Sequence, residues 1–134
     1  MIRLLLALDG IDADAVARGL IAGGLAEPDV YDPADGLDDT FDPRMRPAFA
    51  VVVGAPVLDR RAIGSRPPHI VFEIATRARQ AGVPCHAVVG DDALDPFAKR
   101  ILDLQYVYTA RGSAQLEVAG GRLASQLMTD VMPN

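Results

Sequence analysis

Five short apolar runs, each closed by turn residues, alternate along this chain with segments whose apolar residues recur every three and four positions. That alternation restricts the fold more than any other feature, because consecutive β-α units with short connections build a parallel sheet covered by helices. The first run, Ile2 to Leu8, is apolar at nearly every position, as a strand buried on both faces requires. Asp29–Asp32, Phe49–Gly54, Pro84–Gly90 and Gln105–Thr109 repeat the pattern. Between them, residues 13–25 place Ala13, Val16, Ala17, Leu20 and Ile21 on one helical face, with Asp12 as N-cap. A second helix is expected from Pro67-Pro68 to Ala81, with Ile70, Val71, Ile74, Ala75 and Ala78 inward and Gly82 as its stop. Asp95-Pro96 opens a short helix to Leu102 with Phe97, Ile101 and Leu102 apolar, and Ser113–Val131 forms the last.

The expected class is therefore α/β: one doubly wound domain over residues 1–134, Rossmann-like or flavodoxin-like, with about five mostly parallel strands and helices on both faces. A doubly wound strand order such as 2-1-3-4-5 follows if the crossovers are right-handed. A chain of 134 residues is long enough to bury about two-thirds of its unfolded surface. Its single cysteine, Cys85, has no partner within the chain, which fits a reduced, cytoplasmic setting. The opening apolar run is too short to span a bilayer, so no membrane partner is expected.

Charge is strongly polarised. Residues 1–42 hold ten acids and two arginines, a balance of −8, whereas the remainder balances at +3. Seven of the acids crowd into Glu27–Asp42, a field that attracts cations and argues against nucleic acid as a partner.

Ligands of a doubly wound sheet bind beyond the carboxyl ends of its strands. Asp9-Gly10 ends the first strand there and can meet a metal or a ligand hydroxyl, although Asp-Gly is also ordinary turn chemistry. The loop from Asp32 to Asp42, with Asp35, Gly36 and Asp38, offers hard oxygen ligands for Mg²⁺ or Ca²⁺ without the spacing of an EF-hand; a solvated loop is the alternative. The stretch Gly54 to Pro68 joins a strand to a helix and carries Asp59, Arg60, Arg61, Ser65 and Arg66. A glycine-containing loop at a helix start, with arginine forks beside it, suits an anion, though Pro67 and Pro68 remove two amide donors. Both 32–47 and 54–66 are expected to be irregular. His86 alternates with apolar neighbours and reads as a hydrogen-bonded sheet histidine.

Taken in order, several segments resemble the type-1 glycerate kinase family: Leu8-Asp9, Ala13-Asp14-Ala15-Val16-Ala17, Ala34-Asp35-Gly36 with Thr40, Gly54 with Leu58-Asp59, Ser65-Arg66-Pro67-Pro68, and Ala81-Gly82-Val83-Pro84 leading to Gly90. The resemblance implies the discontinuous α/β domain of that family without its middle substrate domain. It also implies ATP-dependent phosphoryl transfer to glycerate. Asp9 and Asp59 would then be catalytic, Asp35 and Asp38 metal-binding, and Arg60, Arg61, Ser65 and Arg66 would hold phosphate beside Gly36 and Gly54, with Mg²⁺ and ATP as cofactors. The departures are severe. The family's early lysine is an acid or deleted here, its loop glycines are Leu37 and Asp39, and its later Gly-Lys is Ser65-Arg66. Phosphoryl transfer depends on positioning and charge neutralisation, so a degenerate relative that binds a small molecule or anion is expected. The alternatives are a split kinase completed by a partner chain, in which Asp9, Asp35 and Asp59 would share one Mg²⁺, and a non-catalytic interaction module, either of which can be a homo-oligomer.

Overall fold

The structure, a computed structural model, describes residues 2–24 and 26–131. Its elements follow in the order β1 (Ile2–Leu8), α1 (Ala13–Ala22), β2 (Ala26–Val30), α2 (Phe41–Met45), β3 (Ala50–Leu58), α3 (Arg61–Gly64), α4 (Ile70–Ala81), β4 (Cys85–Asp92), α5 (Pro96–Leu102), β5 (Leu104–Thr109) and α6 (Gly112–Val131). The five strands form one sheet in the order β2-β1-β3-β4-β5, parallel at every pairing, as the alternation of elements predicts.

The strand period of two sorts the core into two layers. Leu5 and Ala7 of β1, Val51 and Val53 of β3, and Ala87 and Val89 of β4 point to one face, where they meet Phe41, Met45, Val71, Ile74 and Ala98 of α2, α4 and α5. Leu4, Leu6 and Leu8 point to the other, against Val16 and Leu20 of α1 and Leu116, Leu123 and Leu127 of α6. Each fully buried leucine contributes about 1.5–3 kcal/mol, which fixes the register of the central strands.

The caps set the helix ends. The Asp12 carboxylate accepts the N–H groups of Asp14 (3.1 Å) and Ala15 (3.3 Å), and that of Asp95 accepts the Ala98 N–H at 2.8 Å. Gly82 closes α4 in the left-handed conformation, with φ at 72°. It is His69, not a proline, that caps α4, its Nδ1 accepting the Val71 N–H, so the helix starts at Ile70 rather than at 67–68.

Other boundaries differ from expectation for packing reasons. β2 begins at Ala26 because it pairs with β1 from Ile2, and Asp32 turns the chain by accepting the Ala34 N–H. Pro28 is tolerated within β2 because this is an edge strand. β3 continues past Gly54 to Leu58 because β4 extends beside it, pairing Ala55 with Val89 and Leu58 with Asp92. The stretches 32–47 and 54–66 are not wholly irregular. Phe41 and Met45, one helical turn apart, bury α2, and Ala62 buries α3.

The α1 helix ends at Ala22, and Leu25 lies outside the described residues. Ile21 is 59% exposed and the buried face turns instead through Ala15 and Gly19. On α5, Phe97 and Ile101 face outward while Ala98 and Leu102 are buried. His86 is buried as expected, but neither ring nitrogen has a hydrogen-bond partner. Its ring stacks on Tyr106 at 4.9 Å, and burial pushes its pKa down to about 4.

Candidate functional site

At the carboxyl edge of the sheet β1 stops before β3 and β4. Leu8 pairs with Gly54, and the Asp9 N–H donates to the Gly54 carbonyl at 3.1 Å. Gly54 must be glycine, since a β-carbon there would stand 2.6 Å from the Val88 carbonyl oxygen and 2.8 Å from Leu8. Past Ala55, which lies level with Val89 and the end of β5 at Thr109, the β3–β4 ribbon rises alone and forms a wall. Gly10, at φ 67°, turns the chain beneath Pro56 of this wall and leads into α1.

The crevice between α1, the wall and the start of α6 encloses about 390 Å³ and is lined by Gly10, Asp12, Pro56, Gly90, Arg111 and Ser113. The amides opening α1 are a natural anion seat, but Asp12 fills it with its own carboxylate, whose second oxygen accepts the Ser113 hydroxyl at 3.3 Å. Arg111 binds Asp91 and reaches the Gly90 carbonyl at 3.4 Å. Arg111 and Ser113 escaped the sequence reading. Their signal was position: Ala110-Arg111-Gly112-Ser113 follows a strand and opens a helix, as the stretch after β3 does.

The acidic loop is held by local bonds. Gly36, at φ 88°, donates to the Pro33 carbonyl, and Asp35 is exposed beside it. Asp38 accepts the hydroxyl (2.6 Å) and the N–H (2.9 Å) of Thr40, bonds that hold its carboxyl below the usual range. Tyr31 accepts the Asp38 N–H. Behind the loop, Arg44 forks onto Asp29 at 2.6 and 3.1 Å, and Arg77 pairs with Asp42 at 3.1 Å. Among the described residues no three His, Cys, Asp or Glu side chains converge where they could hold a metal ion. Asp9, Asp35 and Asp59 therefore do not form the shared cation site expected of them. Asp35 is exposed in its own loop, and Asp59 is already engaged.

That engagement is with Arg61, which meets the Asp59 carboxylate through its backbone N–H (3.0 Å), Nε (3.0 Å) and Nη2 (2.9 Å). The guanidinium keeps the Asp59 carboxyl below its ordinary pKa. Arg60 pairs loosely with Asp95 at 3.5 Å, and Arg66 has no ion pair among the described residues. Ser65 donates to the Pro67 carbonyl at 3.3 Å. Between α3 and α4 these residues surround a hollow of about 620 Å³, lined by Arg61, Ser65, Arg66, His69 and the apolar Ile63 and Phe72. The structure thus gathers Arg61, Ser65 and Arg66 around one space, and it places His69 there as well, which the sequence reading left without a role.

No protein-family model matches the sequence, and a search of curated proteins finds no match. Solved structures do match. The flavodiiron core of a Synechocystis protein aligns with a TM-score of 0.60 at 13% identity, over 96% of this chain and 36% of that one, so this chain spans about a third of its length. A flavodoxin-like domain from Synechococcus aligns with a TM-score of 0.57 at 18% identity, covering 93% of this chain and 98% of the other. A putative pilus assembly protein from Burkholderia thailandensis gives 0.54 at 19%, over 94% and 100%.

The fold is flavodoxin-like. The neighbours overturn the resemblance to the glycerate kinase family, on which the expectations of ATP-dependent transfer, a missing middle domain and a completing partner chain rested. The short collinear matches have a plainer physical source. Ala34-Asp35-Gly36 is a turn with glycine at positive φ, and Ala81-Gly82-Val83 is a left-handed helix stop followed by strand entry. A chain of this topology needs such residues at those points, whatever its activity.

Proposed function

We propose that this chain is a flavodoxin-fold binding module that takes a small molecule by an anionic group, seated in the hollow between α3 and α4. The observation that carries this reading is the placement of Arg61, Ser65, Arg66 and His69 around one space of about 620 Å³ just beyond β3. Ile63 and Phe72 give the hollow an apolar wall, so a ligand with an apolar body and one phosphate or carboxylate suits it better than a bare ion. The competing bonds are weak. Arg60 and Arg61 are largely exposed, and ion pairs of that kind contribute about 0–1 kcal/mol, so an arriving phosphate can exchange for Asp59 or Asp95. The α1 start, by contrast, is filled by Asp12 and flanked by Asp14, which directs an anion to the α3–α4 side.

Titration of the full chain with phenyl phosphate at low salt tests the reading. Replacing Arg61 and Arg66 together with glutamine is expected to weaken binding, and added salt to weaken it further. An unchanged dissociation constant in the double variant would refute the site.

A further inference from the structure

The two edges of the sheet differ in kind. β2, at one end, carries Glu27, Pro28 and Asp29, and charges and proline are the features that keep an edge from pairing with another strand. β5, at the other end, reads Leu-Gln-Tyr-Val-Tyr-Thr, six residues without charge, proline or glycine. Its outer row of N–H and C=O groups faces no strand among the described residues. Two hollows of about 450 and 560 Å³ lie along the seam between β5 and α6 and share Tyr108, Val118 and Arg122 in their linings. Val118 is 55% exposed there.

We propose that β5 pairs antiparallel with β5 of a second copy of this chain about a two-fold axis through the middle of the strand, making one continuous sheet across a homodimer. The occupant is argued from charge. α6 runs back along β5, with Asp130 accepting the Tyr106 hydroxyl at 2.9 Å and Arg122 standing beside Tyr108. Antiparallel pairing about an axis at Val107 sets Tyr108 of one copy opposite Tyr106 of the other. Arg122 of each copy is thereby brought to the level of Asp130 in its mate, so two opposite-charge pairs flank the axis. An isologous contact repeats every favourable interaction twice and satisfies both open edges at once. Tyr106, Tyr108 and Val118 of the two copies then close over the seam. This proposal rests on the sheet edge alone and is independent of the anion site.

Sedimentation equilibrium of the full chain tests it. The chain is expected to dimerise, and Gln105→Lys with Thr109→Lys, both at exposed positions, is expected to give a monomer with an unchanged circular dichroism spectrum. Arg122→Asp should weaken the dimer by about tenfold or more, and adding Asp130→Arg should restore it, a rescue that loss of folding cannot produce. A chain that stays monomeric at about 1 mM overturns the proposal. So does a dimer that survives the paired lysines, which would place the interface elsewhere, and so does a charge reversal without rescue.

Discussion

Gly19 of α1 and Glu117 of α6 meet backbone to backbone: a β-carbon on Gly19 would overlap the Glu117 carbonyl oxygen and stand 2.8 Å from the Gly121 nitrogen. Gly120 makes the reciprocal approach to Val16 and Leu20, so the helices cross with no side chain between them. Gly19→Ala is expected to destabilise the protein by about 1–3 kcal/mol, overpacking outweighing alanine's better helix propensity. Gly121→Ala is the control. A β-carbon there meets nothing nearer than 3.9 Å, so the change should be neutral or stabilise by up to about 1 kcal/mol. Urea unfolding of both variants decides the matter, and equal losses would contradict it.

His86 predicts an acid-sensitive fold. Its pKa is about 4 when folded and about 6.5 in an unfolded chain. Between those values the unfolded state binds the extra proton, so stability is full above about pH 6.5 and declines as pH falls toward 4. The decline attributable to this residue is roughly 2–4 kcal/mol. His86→Phe keeps a ring against Tyr106 and removes the titration. Its unfolding free energy should fall less than that of the parent between pH 7 and 4.5; parallel curves would assign the acid sensitivity to other groups.

Arg44 ties three pieces together. It forks onto Asp29, donates to the Val30 carbonyl at 2.9 Å and lies 5.0 Å over the Tyr31 ring. Arg44→Ala should cost about 1–2 kcal/mol, the value of charged hydrogen bonds reduced for partial exposure. Because Tyr31 also holds the Asp38 N–H, cleavage within 32–40 should accelerate on limited proteolysis.

Asp59 and the proposed ligand compete for the same guanidinium. Asp59→Asn removes a carboxylate from the edge of the hollow and frees Arg61. Phenyl phosphate affinity should rise about two- to fivefold at low salt, the scale of an exposed ion pair. Weaker binding would show that Asp59 orients Arg61 for the ligand and does not compete with it.

The order of elements, the parallel sheet and most helix caps were legible in the chain itself. Capping and periodicity are local: Asp12, Gly82 and Asp95-Pro96 act on residues within a turn of themselves, and two-faced apolar strands require cover on both sides. Those units and a general chirality narrow the strand order to a few doubly wound possibilities, of which 2-1-3-4-5 is the one formed. Tertiary structure decided the rest. Short helices such as α2 and α3 have little stability of their own and exist because Phe41, Met45 and Ala62 reach the core. Whether Asp9, Asp35 and Asp59 meet, whether Arg61 is free, and whether Gly120-Gly121 weakens α6 or lets it touch α1 all depend on partners far away in sequence. Similar dipeptides recur wherever strands turn into helices, which is why motif order misled about ancestry. Only the packed structure shows which side chains share a space, because that is set by the positions of whole elements and not by any residue's own neighbours.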